Sequence, residues 1–477
     1  MDSEKDIIKV RQRVRWLPAD MDTPISLFLG MAKGSGILLE SAEVDGRWGR
    51  YSVLACDMAL VLSCREGRFE CQAEDERFSP LAELSGMPFV AGLREAMRRI
   101  ELLPDEEAEP LPPITRSLCG WLGYGMAGLF DAELSASLPG EQAEGMLCLP
   151  GTLMLFDHLY NRLAQVSLGE HKPVSGSHSS LGEVEVCAGM EGGMASASMD
   201  GEDVREAVRL IKEKFREGEA IQVSPSVRFS IPFEGDALAL YRSMRSSSPS
   251  PYMFFMRLPG ITLFGSSPES MVQCTGGSML IAPIAGSRRR GRSVSEDEAL
   301  AAELLSDPQE RAEHMMLVDL GRSDLGRVAA PGTVEVESLM AVERFSHVMH
   351  LTSRIKARLR KGLDAVDVLA SVFPAGAVSG VPRGRAVRIA AALEKGPRGP
   401  YAGCIGWIGL DKGSVHLDAG IAVRTLWVQE GRLNWQVGSS VVHGTEPSQV
   451  WKDICHKSAV MRQSFCGSGG QHVPAHR

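Results

Sequence analysis

The chain contains no apolar run of the roughly 18 residues that a membrane-spanning helix needs. Its first residues, MDSEKDIIKVRQRVRW, lack an apolar segment, so we expect no signal peptide. The ten cysteines are scattered, and no two of them form a CxxC pair, which argues against a disulfide scaffold or a structural zinc site. These absences predict a cytoplasmic protein with reduced thiols and no membrane association.

The chain also lacks an excess of positive charge. Its formal net charge is −9 at pH 7, so composition does not predict a nucleic-acid-binding surface. An anionic ligand would have to be held by a local cluster of cations. Hydrophobic residues make up 44% and charged residues 23% of the 477 positions, which is ordinary for a globular protein long enough for two domains.

A stretch rich in Gly, Ser and Met over 169–201 indicates a linker or a long surface excursion. It divides the chain into an N-terminal lobe over 15–168 and a larger domain over 202–464. The last residues, 465–477, are typical of a flexible tail. Within the N-terminal lobe, the pattern of residues 80–103 predicts a helix.

The larger domain alternates strand patterns with amphipathic helix patterns. The predicted strands cover 220–231, 251–258, 261–267, 278–286, 401–410, 420–429 and 433–442. The predicted helices cover 203–217, 295–307, 308–321, 362–373, 384–396 and 447–463. This order favours an α+β fold in which helices flank large antiparallel sheets.

A pair of glutamates in one predicted helix is the first candidate for chemistry. Glu310 and Glu313 are three residues apart, so both lie on one side of the helix. Such a pair is either a solvated face that pairs with arginines or the site of a shared cation. The spacing alone leaves both interpretations open.

Eleven stretches of the sequence, in order, resemble the chorismate-utilising enzymes, and most closely the large subunits of anthranilate synthases. They are LLESAEVDGRWGRYS (38–52), IQVSPSVRFS (221–230), SPSPYMFFM (248–256), LFGSSPES (263–270), IAPIAGSRRRGR (281–292), ERAEHMMLVDLGRSDLGRV (310–328), ERFSHVMHLTSR (343–354), FPAGAVSGVPRGRA (373–386), GPYAGCIGW (399–407), IAVRT (421–425) and QVGSSVV (436–442). The resemblance extends over residues 15–463 and implies the fold of that family, with the N-terminal lobe in a regulatory role.

The resemblance also implies a substrate, because chorismate is a dianion whose ring hydroxyl must leave as a nucleophile arrives. A departing hydroxyl needs a proton donor, and Glu269 matches the family's candidate general acid, with His350 nearby. A hard cation such as Mg²⁺ would hold one carboxylate, with Glu313 and Asp453 as its ligands and Glu310 beside them.

The remaining substrate contacts are implied in the same way. Arg424 and Tyr401 would hold the enolpyruvyl carboxylate, because arginine offers planar, two-pronged donors. The other implied substrate-binding positions are Gly286 and Ser287 along the ring, the backbone N–H groups of Gly438, Ser439 and Ser440 at the ring carboxylate, and Lys457.

Two positions discriminate within the family. Gln222 stands where water-using members carry a lysine base, and Ala285 stands where aminodeoxychorismate synthases carry a lysine. The pattern therefore favours attack of ammonia at C2 followed by loss of pyruvate to give anthranilate, the first step of tryptophan biosynthesis. A synthase that stops at an amino intermediate and a paralogue that has lost catalysis remain alternatives. The departures from the family pattern that keep them open include Ser323, Ala377, Arg383, Ser440, Val450 and Asp453.

The resemblance implies two further partners. Cys404, in AGCIGW, has apolar flanks and is interpreted as a structural residue, so a separate glutamine amidotransferase subunit is expected to supply ammonia. L-Tryptophan is expected to bind as a feedback inhibitor. The positions implied for it are Glu40, Ser41, Pro251, Tyr252 and Met253.

Overall fold

The structure is a computed structural model that describes residues 7–42, 49–174, 176, 195–344 and 348–466. Within these ranges the strands pair into one sheet of 20 strands, a parallel two-stranded sheet and an antiparallel three-stranded sheet. Helices pack against the large sheet, which confirms the predicted fold of antiparallel sheets flanked by helices. No helix among the described residues combines the length and the apolarity needed to cross a membrane.

The bounds of the elements follow in chain order. The strands are β1 (Ile8–Arg11), β2 (Arg13–Pro18), β3 (Gly36–Glu40), β4 (Tyr51–Arg65), β5 (Arg68–Ala73), β6 (Ile100–Leu103), β7 (Ser117–Leu122), β8 (Glu144–Asp157), β9 (Arg162–Ser167), β10 (Ser196–Ala197), β11 (Gln222–Val223), β12 (Ser226–Pro232), β13 (Tyr252–Leu258), β14 (Ile261–Ser267), β15 (Ser270–Thr275), β16 (Ser278–Ile281), β17 (Ile284–Arg289), β18 (Glu335–Arg344), β19 (Val348–Arg358), β20 (Gly380–Val381), β21 (Cys404–Gly409), β22 (His416–Ile421), β23 (Thr425–Gln429), β24 (Arg432–Gly438) and β25 (Val441–Val442). The helices are α1 (Pro24–Met31), α2 (Phe89–Arg99), α3 (Ala127–Phe130), α4 (Gly201–Arg216), α5 (Ala237–Ser247), α6 (Val294–Ser306), α7 (Pro308–Val328), α8 (Ala365–Val372), α9 (Gly376–Ser379), α10 (Arg383–Leu393) and α11 (Pro447–Cys466).

Strands from both parts of the chain share the large sheet. β3 pairs antiparallel with β13, and β7 pairs antiparallel with β21. Gly120 of β7 permits close packing, because a Cβ at this position would lie 1.9 Å from the carbonyl oxygen of Met146. The division at 169–201 therefore separates two parts of the sequence whose strands are hydrogen-bonded to each other. Most of the predicted linker lies outside the described residues.

Helices α4, α5 and α11 cover one face of the sheet. On α4 the buried residues recur with helical spacing, as predicted for 203–217. Asp200 caps this helix by accepting hydrogen bonds from the N–H groups of Glu202 and Asp203. Tyr241 of α5 and Ile454 of α11 are fully buried beside Trp435, so α11 is held firmly against β24.

Helices α7 and α8 pack beside strands β15 to β19. Asp307 begins α7 by accepting hydrogen bonds from the N–H groups of Gln309 and Glu310. Val318 and Leu325 of α7 are buried in the same core as Ile355 of β19. This packing fixes which face of α7 is turned away from solvent.

Residues 80–103 do not form one helix, so that prediction was wrong. A 3₁₀ helix ends at Leu84, α2 covers Phe89–Arg99, and Ile100–Leu103 form β6. Gly86, at φ 89°, and the fixed φ of Pro88 interrupt the helix, and β6 pairs in parallel with β1. Strands β18 and β19 were not predicted at all.

Candidate active site

A cavity of about 600 Å³ opens beside α11, the end of β24 and the segment between β22 and β23. We call it the α11 cavity. Seven predicted residues line it: Tyr401, Arg424, Gly438, Ser439, Ser440, Asp453 and Lys457. Ser224 and His456 also line it, and sequence reasoning missed both. The only signal for His456 was its place next to Lys457 on the predicted helix.

Arg424 is held in a left-handed backbone conformation at φ 49°, which is costly for a residue with a Cβ. Its carbonyl oxygen accepts a hydrogen bond from the N–H of Ser266 at 3.2 Å. Neighbouring Gly265 has no room for a side chain, since a Cβ would lie 2.7 Å from that oxygen. The guanidinium faces the cavity without a hydrogen bond or an ion pair to any described residue. The guanidinium of Arg424 is therefore available to donate two parallel hydrogen bonds to a carboxylate.

Tyr401 supplies a neutral hydroxyl to the same cavity. Burial raises the pKa of Tyr401 to about 12, and the charge of Arg398 opposes that shift. The hydroxyl lies against Gly438, where a Cβ would stand 2.8 Å from it. Arg398 stacks beneath the ring of Tyr124 at 4.3 Å and donates to Glu394 at 2.7 Å. A phenol held protonated in this way is a hydrogen-bond donor for an anion.

Lys457 adds a second cation to the cavity wall. Its Nζ lies 2.7 Å from Oδ2 of Asp453, one helical turn earlier on α11, and 3.3 Å from the carbonyl oxygen of Gly438. About half of the lysine side chain is exposed, so the pair is accessible from the cavity. Asp453 is therefore already partly neutralised by a neighbour on its own helix.

Glu269 lines a much smaller cavity, of about 40 Å³, that adjoins the α11 cavity. Ala377 lines both of them. Burial raises the pKa of Glu269 to about 7, and the charge of Arg424 opposes the shift. The carboxyl group can therefore hold a proton near neutral pH and donate it to a leaving group.

His350 of β19 lies within reach of the charge of Arg424. Burial lowers the pKa of His350, a hydrogen bond to Gly286 raises it, and the charge of Arg424 lowers it further. Its Nδ1 is 3.1 Å from the carbonyl oxygen of Gly286 and 2.8 Å from Oγ of Ser287. The imidazole is therefore neutral at neutral pH and is fixed against the two residues predicted to line the ring.

Gly286 has φ 72°, and the space beside it is limited. A Cβ there would lie 3.1 Å from Oε2 of Glu310 and 3.1 Å from Cδ1 of Leu304. The positive φ favours glycine, and a side chain here would press against Glu310 of α7 and Leu304 of α6. Glu310 is thereby placed against the strand that carries Gly286 and Ser287.

The three predicted metal ligands do not converge. Oε1 of Glu310 is 2.9 Å from Arg288, which also pairs with Asp307 and Glu303. Oε1 of Glu313 accepts a hydrogen bond from Gln309 at 3.1 Å. Among the described residues there is no group of three or more acidic, His or Cys side chains placed to hold a metal ion. The expected meeting of Glu310 and Glu313 with Asp453 is therefore absent. Glu310 pairs with Arg288 of β17, whereas Glu313 and Asp453 each contact a residue of their own helix.

The predicted donors for the ring carboxylate are only partly available. The N–H of Ser439 donates to the carbonyl oxygen of Pro225 at 3.1 Å, so it is not free for a ligand. Ser440 is exposed, its backbone is outside the left-handed region, and its hydroxyl accepts a hydrogen bond from Gln222. A serine is therefore accommodated at position 440 without backbone strain.

Arg383, another departure from the family pattern, is a buried structural residue. Its guanidinium pairs with Asp324 of α7 and donates to the carbonyl oxygen of Ser371 at 3.0 Å. Burial raises the pKa of Asp324 to about 6, and Arg383 opposes that shift. The pair ties α7 to α10 beneath the small cavity.

Removing one partner of this pair should be severely destabilising. Asp324→Ala leaves the Arg383 guanidinium buried without a counter-charge, so we expect a loss of about 3–5 kcal/mol in the free energy of unfolding. Urea denaturation measures this loss. The double variant Asp324→Leu/Arg383→Met, which removes both charges, should recover most of it. Equal destabilisation by the double variant would contradict the assignment.

The surroundings of three other residues singled out in the sequence are structural. Val450 is 1% exposed and belongs to the core under α11, so an apolar residue suits it. Ser323 is exposed on α7. Cys404 is buried, and burial raises its thiol pKa to about 12, so it has none of the properties of a nucleophile.

A separate cavity of about 400 Å³ lies between strands of the two parts of the chain. We call it the N-terminal cavity. All five positions implied for an inhibitor line it: Glu40, Ser41, Pro251, Tyr252 and Met253. β3 and β13, which carry Glu40 and Met253, are directly paired in register. The structure therefore brings together two sequence motifs that are far apart in the chain.

The carboxylate of Glu40 does not face this cavity. Its side chain is fully buried, with both oxygens 2.7 Å from Arg245 and one also 2.7 Å from the hydroxyl of Tyr241. Asp418 lines the cavity instead and accepts a hydrogen bond from Tyr252 at 2.7 Å. Sequence reasoning missed Asp418, since nothing in its local pattern separates it from other strand residues.

The comparisons with known proteins agree with this geometry. Residues 67–463 match the model of the chorismate binding enzyme family, and the chain belongs to that family. It is 35% identical to anthranilate synthase component 1 of Geobacillus stearothermophilus over 482 residues, covering 93% of this chain and 91% of that protein. It is 34% identical to anthranilate synthase component 1 of Pseudomonas aeruginosa over 470 residues, covering 93% of each.

Solved structures show the same relationship. Anthranilate synthase component I of Streptococcus pneumoniae superposes with a TM-score of 0.68 at 27% identity and covers 87% of this chain and 92% of its own. The menaquinone-specific isochorismate synthase MenF of Escherichia coli has the same TM-score at 18% identity, covering 96% of this chain and 95% of its own, and at that identity it shows the fold alone.

Proposed function

We propose that this chain converts chorismate and ammonia to anthranilate, pyruvate and water, and thereby begins tryptophan biosynthesis. The observation that carries the proposal is a proton-holding carboxyl group, Glu269, close to an unpaired arginine, Arg424, beside a cavity lined by Tyr401 and Lys457. The relatives that share most of the chain are named for this activity. Gln222 in place of a lysine base supports ammonia rather than water as the nucleophile.

The geometry supports a division of labour among these residues. Arg424 and Tyr401 hold the enolpyruvyl carboxylate of chorismate, and Lys457 attracts the second carboxylate. Ammonia forms a bond to C2, and the ring hydroxyl leaves with a proton from Glu269 as water. Loss of the C2 proton and of the enolpyruvyl group as pyruvate then makes the ring aromatic. His350, neutral and fixed against Gly286 and Ser287, is placed for proton transfer in this region.

Mg²⁺ is proposed on chemical grounds, because a hard divalent cation would neutralise a substrate carboxylate. Glu313, with Glu310, and Asp453 are its proposed ligands. We assign the ion no step, because these side chains do not form a common site in this structure.

We also propose that ammonia comes from glutamine through a separate amidotransferase subunit and that the chain is cytoplasmic. The buried, inert thiol of Cys404 supports the first part. Purified protein with chorismate and Mg²⁺ should form anthranilate with ammonium but not with glutamine. Activity of the chain alone with glutamine would contradict the separate subunit, and full activity after chelation by EDTA would contradict the metal.

Tryptophan binding in the N-terminal cavity is a further part of the proposal. Tyr51, Tyr252 and Trp407 supply aromatic walls, and Asp418 supplies a carboxylate for an ammonium group. The ligand acts at a distance only if it binds one arrangement of the chain better than another. We therefore expect L-tryptophan to raise Tm and to weaken chorismate binding.

Ser41→Phe should abolish both effects of tryptophan, because the larger side chain fills the cavity. Calorimetry and thermal melting with L-tryptophan measure them. Ser246→Phe, at an exposed position on α5 outside the cavity, is the matched control and should respond like wild type. Lack of tryptophan binding to wild type at millimolar concentration would refute this regulation.

A further inference from the structure

Tyr252 connects the N-terminal cavity with the small cavity that holds Glu269. Its ring packs directly over Gly420 of β22, where a Cβ would lie 2.6 Å from the ring. Tyr252 lines the N-terminal cavity, while its hydroxyl is 3.0 Å from Oγ of Ser270. Ser270 lines the small cavity together with Glu269. One side chain thus touches the walls of both cavities.

Asp418 fixes the position of the Tyr252 hydroxyl. The Tyr252 hydroxyl donates to Oδ1 of Asp418 at 2.7 Å, and Gln273 donates to the two oxygens of the same carboxylate at 3.4 and 3.3 Å. Asp418 has no ion pair with any described residue, although it is partly buried and lines the N-terminal cavity. A cationic ligand in that cavity would therefore compete with Tyr252 for the carboxylate.

The backbone links the same two places. Ser270 of β15 pairs with Gly420 of β22, and the N–H of Ile421 donates to the carbonyl oxygen of Glu269 at 2.9 Å. β22 continues into Arg424, three residues after Ile421. A shift of β15 against β22 would change the separation of Glu269 from Arg424, the charge that acts on its carboxyl group.

We propose that Tyr252 is a positioning residue for Glu269: its hydroxyl, held by Asp418, fixes Ser270 and Glu269 relative to Arg424. Occupation of the N-terminal cavity acts on catalysis through this contact. The inference rests on the proposed function, since it takes Glu269 as the general acid.

Two charged or titratable groups lie in the region of Glu269: Arg424 from the segment after β22, and Asp324 from α7, which lines the small cavity and is paired with Arg383. His350 of β19 is within reach of the charge of Arg424. Of these, Arg424 shifts the pKa of Glu269. The pH above which kcat falls, which we call the alkaline limb of the kcat profile, therefore reports on the distance between Arg424 and Glu269.

Tyr252→Phe tests the proposal, and Tyr241→Phe is its matched control. Both tyrosines donate to a carboxylate at 2.7 Å, Tyr252 from a partly exposed position and Tyr241 from a fully buried one, but Tyr241 bonds Glu40, away from Glu269. For Tyr252→Phe we expect kcat to fall about ten-fold with KM for chorismate within about two-fold, because the acid is displaced but the anion site is intact. The alkaline limb of the kcat profile should move by about half a pH unit or more. L-Tryptophan should still bind by calorimetry but no longer inhibit.

The control variant should keep wild-type kcat and an unmoved alkaline limb. A wild-type rate and profile in Tyr252→Phe, or equal changes in both variants, would overturn the inference. If Tyr252→Phe fails to fold, Asp418→Asn is the substitute variant. It weakens the hydrogen bond between Tyr252 and Asp418, so it should also move the alkaline limb of the kcat profile. Wild-type protein that forms no anthranilate would instead refute the proposed function, and the inference with it.

Discussion

Glu269→Gln is expected to lower kcat for anthranilate formation by about 10²–10⁴-fold while chorismate still binds. The amide keeps the size of the side chain but cannot deliver a proton to the departing hydroxyl. Steady-state kinetics with chorismate and ammonium measure the loss. Retention of more than about one-tenth of the rate would assign the general acid elsewhere.

The pH dependence of the rate is an independent test of Glu269 as the general acid. A general acid must be protonated, and burial raises the pKa of Glu269 to about 7, so the wild-type rate should fall as pH rises above about 7. The residual rate of Glu269→Gln should lack this limb. Stability should also fall as pH rises. Because the folded-state pKa is raised, wild type loses stability between the unfolded value near 4.5 and about 7, so the variant, which has no charge to bury, should be no less stable at pH 8.

Glu144→Gln is the control for this experiment. Burial also raises the pKa of Glu144, which stands near Arg228 but lines neither the α11 cavity nor the small cavity. Its variant should keep the wild-type rate and the alkaline limb. A loss like that of Glu269→Gln would mean that a buried carboxylate matters here for folding and not for catalysis.

Arg424→Lys is expected to raise KM for chorismate about ten-fold or more, since the charge remains but the two-pronged contact with a carboxylate is lost. Comparison of KM and kcat across a chorismate titration separates binding from chemistry. Arg257→Lys, which alters an arginine that donates to the carbonyl oxygen of Ala32 outside the cavity, should leave KM unchanged. An unchanged KM for Arg424→Lys would exclude a bidentate role.

Sequence patterns predicted the elements whose periodicity is strong. Helices α4, α6, α10 and α11 were found within a few residues, because their apolar residues recur with a helical period and several have clear caps. Helix α7 began as predicted but extends to Val328, beyond the predicted end at residue 321. Strand β18 was missed because it is rich in charged residues. Its partner β19 stabilises it, in part through contacts of Glu337 with Arg354 at 3.0 Å and with Lys356. Pairing of this kind cannot be seen in local sequence.

Prediction of the candidate site from the sequence was limited in the same way. Family motifs located Arg424, Tyr401 and Lys457, which the structure brings together around one cavity. They could not show that the carboxylate of Glu40 forms an ion pair with Arg245, which lies 205 residues away in sequence. They also could not show that Asp418 faces the N-terminal cavity, because orientation depends on which strands pair.

Mass spectrometry of the products from chorismate, Mg²⁺ and isotopically labelled ammonium tests the central claim most directly. We predict anthranilate that carries the labelled nitrogen, formed with an equal amount of pyruvate. Isochorismate, an aminated product that accumulates without pyruvate, or unchanged chorismate would contradict the account.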